Sequence, residues 1–244
     1  MGFRTTASTD VGLARDTNED SVYSETREDG DVALLAVADG MGGHRAGDVA
    51  SEAAIEAFVE YVWTHDWEPT PENRQALLGS AARAANAHLR EMAAENRELD
   101  GMGTTLVGAI LEDGEAALVN VGDSRGYHAH GGGIDQVTTD QSLVQQLVEQ
   151  GQIEPEEADD HPQKHVLSQA LGTGDEVEPD TYHLPLDDVL LLCSDGLSDD
   201  VPDSEIHDAV AGSPSIDAAA ENLVDLANER DGSDNVGVAL GREL

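Results

Sequence analysis

The sequence predicts an α+β protein in which β-sheets are covered by helices on their outer faces. Strand-like apolar runs are grouped at 3–37, 106–138, 177–193 and 236–240, and helical patterns separate these groups. Neighbouring strands are joined by short Asp-Gly or glycine-rich turns, which favours antiparallel pairing. Sheets in this order need helical layers to cover them. The 244 residues contain no repeat, low-complexity tract or linker, so we expect one domain spanning 1–244.

The expected strands follow apolar runs and period-2 alternation. Asp29-Gly30 and Asp113-Gly114 each lie between two strand-like runs and predict hairpins. The triple glycine at 131–133 predicts a further loop between strands. We expect strand structure at 3–12, 22–37, 106–111, 116–121, 126–128, 134–138, 177–184, 189–193 and 236–240.

The expected helices follow the 3.6-residue spacing of apolar side chains. Pro71 suits the first turn of a helix, and Gly151 is a stop signal for a later one. The acidic segment around Pro155 is inserted between strands and predicts a flap over a site. We expect helices at 46–63, 71–99, 141–150, 154–158, 205–210 and 216–230.

The chain is extremely acidic, with 51 Asp and Glu against 12 Lys and Arg and a formal net charge of -39. The acids form like-charge stripes at i,i+4 spacing on two helices, and each such pair costs about 0.2–0.5 kcal/mol at low salt. Molar salt shortens the Debye length to about 3 Å and removes most of that cost. We therefore expect a protein from an extremely salt-adapted organism. The stripes are Asp48, Glu52, Glu56 and Glu60, and Asp217, Glu221, Asp225 and Glu229.

Composition also sets the expected surroundings of the protein. A nucleic-acid partner is disfavoured, because a phosphate backbone needs positive partners. The longest apolar run, around 189–193, is too short for a membrane span, and no signal peptide is recognisable. The single cysteine, Cys193, excludes an intrachain disulfide and lies inside a buried-strand pattern. We expect a cytoplasmic monomer with no membrane partner.

Five carboxylates stand at the ends of strand-like runs. If these ends share one edge, the carboxylates repel one another unless cations lie between them, and oxygen ligands suit Mg²⁺ or Mn²⁺. A hairpin turn is the plain alternative for a single Asp-Gly. For Asp39 and Asp195 that alternative is disfavoured, because each closes a long apolar run and no matching strand follows at once. The five are Asp20, Asp39, Asp123, Asp195 and Asp234.

Arginine and histidine supply further candidates. Arg15 is one of few cations, and a guanidinium suits bidentate contact with a phosphate; the alternative is a solvated surface arginine. His161 and His165 have a four-residue spacing that suits a metal on a helix, but Pro162 between them argues against such a site.

These motifs together resemble the metal-dependent Ser/Thr protein phosphatases of the 2C type, in their bacterial form. Six motifs occur in family order over nearly the whole chain, and although any one is weak, the series is specific. They are RDTNED at 15–20, DGMGGH at 39–44, MGTT at 102–105, VGDSR at 121–125, SDGL at 194–197 and SDNV at 233–236.

The resemblance implies a four-layer α/β-sandwich, with two antiparallel-rich sheets flanked by helices on both outer faces. It also implies two ions, Mn²⁺ or Mg²⁺, with Asp39 bridging them. The Gly40 carbonyl binds the first ion in this scheme, and Asp195 and Asp234 bind the second. By the same resemblance Asp20 and Glu19 act through bound water, Asp123 joins Asp195 at a weaker third site, and Arg15 holds the substrate phosphate.

The implied reaction is hydrolysis of phosphoserine or phosphothreonine on proteins by a metal-activated water. His44 is the candidate acid for the leaving oxygen. The chain departs from animal members at Met41 and from many bacterial members at Gln141, where those proteins have histidine. Two alternatives remain: a catalytically weak regulatory or binding module with the same fold, and, less favoured, a divalent-ion buffer.

Overall fold

The computed structural model describes residues 2–27, 30–42, 46–158 and 161–244. Its strands form two antiparallel sheets. In chain order the strands are β1 (Phe3–Asp10), β2 (Asp20–Thr26), β3 (Val32–Met41), β4 (Gly103–Thr104), β5 (Leu106–Glu112), β6 (Glu115–Val121), β7 (Arg125–His130), β8 (Gly133–Gln136), β9 (Asp180–Pro185), β10 (Val189–Cys193) and β11 (Val236–Glu243).

One sheet has the order β1-β11-β10-β7-β8, and the other has the order β2-β3-β5-β6-β9, with β4 paired to the end of β3. The helices, apart from a 3₁₀ turn at Arg97–Leu99, are α1 (Ala46–Thr64), α2 (Pro71–Glu95), α3 (Leu143–Glu149), α4 (Pro155–Ala158), α5 (Asp195–Ser198), α6 (Asp203–Gly212) and α7 (Ile216–Arg230).

Strand alternation produces the layers. In β3, Leu34 and Ala36 belong to the apolar cluster of α1 and α2, whereas Leu35 and Val37 face the other sheet. Side chains of the opposite sheet alternate in the same way: Leu191 of β10 packs against α6 and α7, whereas Leu190 and Leu192 face the first sheet. Each sheet is therefore buried on both faces. The result is the predicted sandwich of helices, sheet, sheet and helices.

The observed elements differ from the expected ones mainly at ends and in short segments. β9 begins at Asp180 rather than at 177; Val177 is buried in the α1–α2 cluster, and Pro179 has no backbone N–H for a ladder. α2 ends at Glu95, and the following residues form the 3₁₀ turn capped by the Asn96 side chain. α5 was not expected, because four residues carry no detectable period.

The turn predictions that fall on described residues are confirmed at Asp113-Gly114, where φ is 55° and 74° as in a two-residue hairpin. Asp29, of the other predicted hairpin, lies outside the described residues. Over the described ranges, no helix is both long and apolar enough to cross a bilayer.

Candidate metal centre

Asp20 and Asp39 lie directly opposite each other on the neighbouring strands β2 and β3. Directly opposed residues point to the same side of a sheet, and Asp39 follows Leu35 and Val37 on the side that faces the second sheet. The two carboxylates therefore stand at the rim of the inter-sheet core. Here a cleft of about 850 Å³ opens, and Asp39 lines it.

The other three predicted acids reach the same place from different elements. Asp195 is the first residue of α5, one residue after the end of β10, and its carboxyl group lies close enough to Asp39 to raise the pKa of Asp39. Asp123 follows β6, and Asp234 precedes β11. All three line the cleft, so the structure brings together the five acids that the sequence singled out.

Crowding and burial change the protonation of these acids. Burial raises the pKa of Asp20 to about 8, against the hydrogen bond from Ser194, which lowers it. Burial and then the charge of Asp195 raise the pKa of Asp123 to about 8. Burial raises the pKa of Asp195 to about 6, and the pKa of Asp39 also lies well above its usual range for the same reason.

The donor set fits divalent cations. Buried carboxylates this close together need either protons or cations, and hard oxygen ligands select Mg²⁺ or Mn²⁺ over soft metals. Asp39, Asp123, Asp195 and Asp234 line the cleft, and the buried Asp20 lies against them. The raised pKa values express first the burial of these acids and then the charge of their neighbours, and a bound ion would offset both.

Two threonines hold the backbone of Asp39: Thr104, the last residue of β4, and Thr105, which joins β4 to β5. Thr104 Oγ1 donates a hydrogen bond to Asp39 O at 2.8 Å, and Thr105 N donates to the same oxygen at 2.9 Å. Asp39 N donates to Thr105 Oγ1 at 2.9 Å. The threonines of the MGTT motif therefore position the acid without contacting its carboxylate.

Gly40 can only be glycine. A Cβ at this position would lie 2.0 Å from Gly47 O, so the chain here runs against the start of α1 with no room for a side chain. Gly40 N donates to Glu19 O at 3.0 Å, and the Glu19 carboxyl group lies against Gly47. Both Gly40 and Glu19 line the cleft.

The sequence did not identify two residues that position the acids, Ser194 and Asn235. Ser194 Oγ donates to Asp20 Oδ2 at 2.6 Å and accepts from Gly237 N at 2.8 Å. Asn235 Oδ1 accepts from Glu19 N at 2.7 Å, while its Nδ2 donates to Val11 O at 2.8 Å and Thr17 O at 3.0 Å. Their positions in the sequence could have identified them, because Ser194 directly precedes Asp195 and Asn235 directly follows Asp234.

Arg15 lies at the mouth of the cleft. Its Nη2 donates to Asp234 Oδ2 at 2.7 Å, and its Nε lies 3.4 Å from Ser233 O. About half of the arginine side chain remains exposed, so a ligand entering the cleft can reach it. His44, the candidate acid, lies outside the described residues.

Residues 14–229 match the family of protein phosphatase 2C. The chain belongs to this family. It is 43% identical over 240 residues to the Ser/Thr protein phosphatase PstP of Mycobacterium tuberculosis. The aligned region covers 98% of this chain but 44% of that relative. It therefore spans less than half of that relative's length. A Ser/Thr phosphatase Stp of Listeria welshimeri is 40% identical over 95% of this chain and 92% of its own length.

Solved structures agree with the fold. The phosphatase Stp1 from Staphylococcus aureus superposes with a TM-score of 0.91 at 35% identity, over 100% of this chain and 96% of that one. The PstP catalytic domain in complex with two manganese ions superposes with a TM-score of 0.84 at 39% identity, over 98% and 97%. The expected family and sandwich fold are confirmed, and two manganese ions in that relative support the expected cofactors.

Within this phosphatase 2C fold, one histidine lies closer to the acids than the sequence suggested. Potential ligand atoms of His165, Asp195 and Asp199 all lie within 4.8 Å of one another. His161 is not in this group, so the four-residue spacing between His161 and His165 does not correspond to a shared metal site. The grouping arises because Lys164 and His165 lie against Asp199 at the end of α5, a contact between distant residues that no local pattern predicts.

Proposed function

We propose that this protein hydrolyses phosphoserine and phosphothreonine on protein substrates, using two divalent ions, Mn²⁺ or Mg²⁺. The observation that carries the proposal is the convergence of five carboxylates on one cleft. The activity given for relatives from Listeria and Mycobacterium supports it. The complete set of acids argues against a catalytically weak binding module of the same fold.

Each acid has a proposed role. Asp39 would bridge both ions, the Gly40 carbonyl would bind the first, and Asp195 and Asp234 the second. Their common lining of the cleft supports this assignment. Asp20 and Glu19 would act through bound water, which agrees with the position of Asp20 beneath the lining residues. Asp123 with Asp195 would form the weaker third site.

The chain's own groups prepare the reaction. When bound, the ions lower the pKa of a water to make it a nucleophile and neutralise phosphoryl charge. The Arg15 guanidinium would bind two phosphate oxygens at the cleft mouth and orient phosphorus for in-line attack. His44 would give a proton to the leaving serine or threonine oxygen.

A cysteine nucleophile is excluded by the structure. Cys193 is fully buried in β10, and burial raises the pKa of its thiol to about 12. At neutral pH the thiol is protonated and has no access to the cleft, so it cannot attack phosphorus.

We further propose that residues 1–244 work as one domain, as a cytoplasmic monomer in an extremely salt-adapted cell, in signalling through phosphoproteins. The net charge of -39 supports high-salt conditions, because salt screens like charges. The same charge opposes binding to nucleic acid or an anionic membrane surface. The apolar cluster shared by both sheets supports a single folding unit.

The test is hydrolysis of a phosphothreonine peptide in molar KCl with Mn²⁺ or Mg²⁺, and then with excess chelator. The matched pair of variants is Asp39→Asn and Asp113→Asn. Both remove one charge from an Asp-Gly pair, but Asp113 lies in the hairpin turn. We expect metal-dependent turnover that Asp39→Asn abolishes and Asp113→Asn retains.

Two results would overturn the assignment. Metal binding without turnover in folded protein would favour the binding module. Full activity of Asp39→Asn would mean that the site lies elsewhere.

A further inference from the structure

A second cavity, of about 1050 Å³, adjoins the metal centre. It shares Asp123, His165 and Asp195 with the catalytic cleft, so the two spaces lie side by side. One of its walls is formed by residues 198–204, which connect α5 to the start of α6. We call this space the acidic groove.

The groove carries more negative charge than its own cations balance. Arg125 forms an ion pair with Asp140. Its Nε donates to both carboxylate oxygens at 3.0 Å, and its Nη2 donates to Oδ2 at 2.6 Å. Asp200 and Asp203 also line the groove. Within the described part of the chain, neither has an ion-pair partner.

A lysine of the chain itself shows that the groove binds an ammonium group. Lys164 is the only lysine in the sequence. Its Nζ lies 3.1 Å from Asp199 Oδ2 inside the groove. Ser198 also lines the groove. The wall therefore already holds one ammonium group against one of its carboxylates.

We propose that the acidic groove binds Lys or Arg residues that flank the phosphorylated residue of the substrate. This inference rests on the proposed function, because it places the phosphate in the adjoining cleft. Bound ions would neutralise charge at Asp123 and Asp195. They would leave Asp200 and Asp203 free to attract a cationic side chain, and a peptide extends about 3.3 Å per residue along that wall.

Acids are common over this whole surface, so charge alone does not distinguish the groove. What distinguishes it is its concave shape, its position beside the cleft and the ammonium group that Lys164 places in it. Exposed acids on the convex face of α7, such as Asp225 and Glu229, share only the charge. They are the matched control.

The experiment uses two phosphothreonine peptides that differ only in Lys or Glu at the flanking positions. The enzymes are the full chain, the double variant Asp200→Asn/Asp203→Asn and the control Asp225→Asn/Glu229→Gln. Measurements are made with Mn²⁺ at the lowest KCl concentration that keeps each protein folded, and again in molar KCl. p-Nitrophenyl phosphate, which has no flanking residues, reports on the catalytic centre alone.

We expect the full chain to prefer the Lys peptide in kcat/KM by about three- to tenfold at the lower salt, the scale of two exposed ion pairs. The groove variant should lose most of that preference, mainly through KM, and keep its activity on p-nitrophenyl phosphate. The control variant should behave as the full chain. Molar KCl should reduce the preference.

Two outcomes would overturn the inference while leaving the phosphatase intact. One is turnover of both peptides at equal kcat/KM. The other is an equal loss of preference in the groove and control variants, which would indicate a general effect of net charge. Absence of turnover for both peptides and for p-nitrophenyl phosphate would instead overturn the proposed function.

Discussion

Ser194 Oγ donates a hydrogen bond to Asp20 Oδ2 at 2.6 Å and thereby joins the two sheets beneath the metal centre. Asp20 begins β2 in one sheet, and Ser194 follows β10 in the other. Both residues are buried, and the same hydroxyl accepts from Gly237 N at 2.8 Å in β11. This one hydroxyl therefore sets the distance between acids that reach the cleft from opposite sheets.

Ser194→Ala should reduce stability and weaken metal activation. The variant leaves Gly237 N without its acceptor and Asp20 without its donor, and each buried unsatisfied group costs about 1–3 kcal/mol. We expect a lower urea midpoint and a higher Mn²⁺ concentration for half-maximal activity. Ser198→Ala is the matched control, because Ser198 Oγ has no hydrogen-bond partner within the described ranges. Equal midpoints for the two variants would contradict this account.

Arg15→Ala should raise KM for a phosphopeptide by about tenfold or more. A hydrogen bond to a charged group contributes about 1.5–3 kcal/mol, and the variant removes the guanidinium from the cleft mouth. Stability should change little, because the Arg15 and Asp234 side chains are each more than a third exposed. Arg4→Ala, which removes an exposed arginine paired with Asp217, is the control. A loss of kcat at unchanged KM would argue against phosphate binding by Arg15.

Long elements were predictable because each carries several periods of its pattern. α7 covers the expected residues, and β10 spans the expected apolar run. The five strand-end acids were recognisable for a related reason: a charged residue that interrupts a buried run must face something other than the core. Their convergence followed from antiparallel pairing, which places β2 beside β3.

The unpredicted features all depend on contacts between distant parts of the chain. Asn235 binds the backbone of residues near the other end of the sequence, at Val11, Thr17 and Glu19. The approach of His165 to Asp195 and Asp199 joins residues that are at least 30 positions apart in the sequence. No window of 10 to 20 residues contains either relationship. The prediction for His44 stays untested, because that residue lies outside the described ranges.

Removal of metal should make stability depend on pH in a defined direction. Burial raises the pKa of Asp20 and of Asp123 to about 8 in the folded, metal-free protein, whereas an unfolded aspartate titrates near 3.9. The folded state then binds more protons between these values, so its stability is highest at low pH and falls as pH rises through about 8.

The check is the urea midpoint in chelator at pH 6 and at pH 8.5, with Mg²⁺-saturated protein in parallel. We expect a lower midpoint at pH 8.5 in chelator and a smaller difference with Mg²⁺, because the deprotonated acids then have a cation. A midpoint that rises with pH in chelator would contradict the raised pKa values.

Salt should stabilise the protein by screening the acidic stripes. In α1, Glu52, Glu56 and Glu60 are exposed at i,i+4 spacing, and Asp48 precedes them in the first turn. Each like-charge pair costs about 0.2–0.5 kcal/mol at low salt, and the Debye length falls to about 3 Å at 1 M. We expect the urea midpoint to rise between low and molar KCl.

Glu56→Gln separates this mechanism from a general salt effect, because it removes the charge that is four residues from both Glu52 and Glu60. The variant should be more stable than the parent at low salt and gain less from KCl, since less repulsion remains to be screened. The control is Glu72→Gln, which removes one exposed acid from the first turn of α2, where Gln75 and Ala76 stand three and four residues further along the helix. A urea midpoint of the parent that stayed flat or fell with KCl would refute the screening account. An equal response of the two variants to KCl would assign the salt effect to net charge rather than to the stripe.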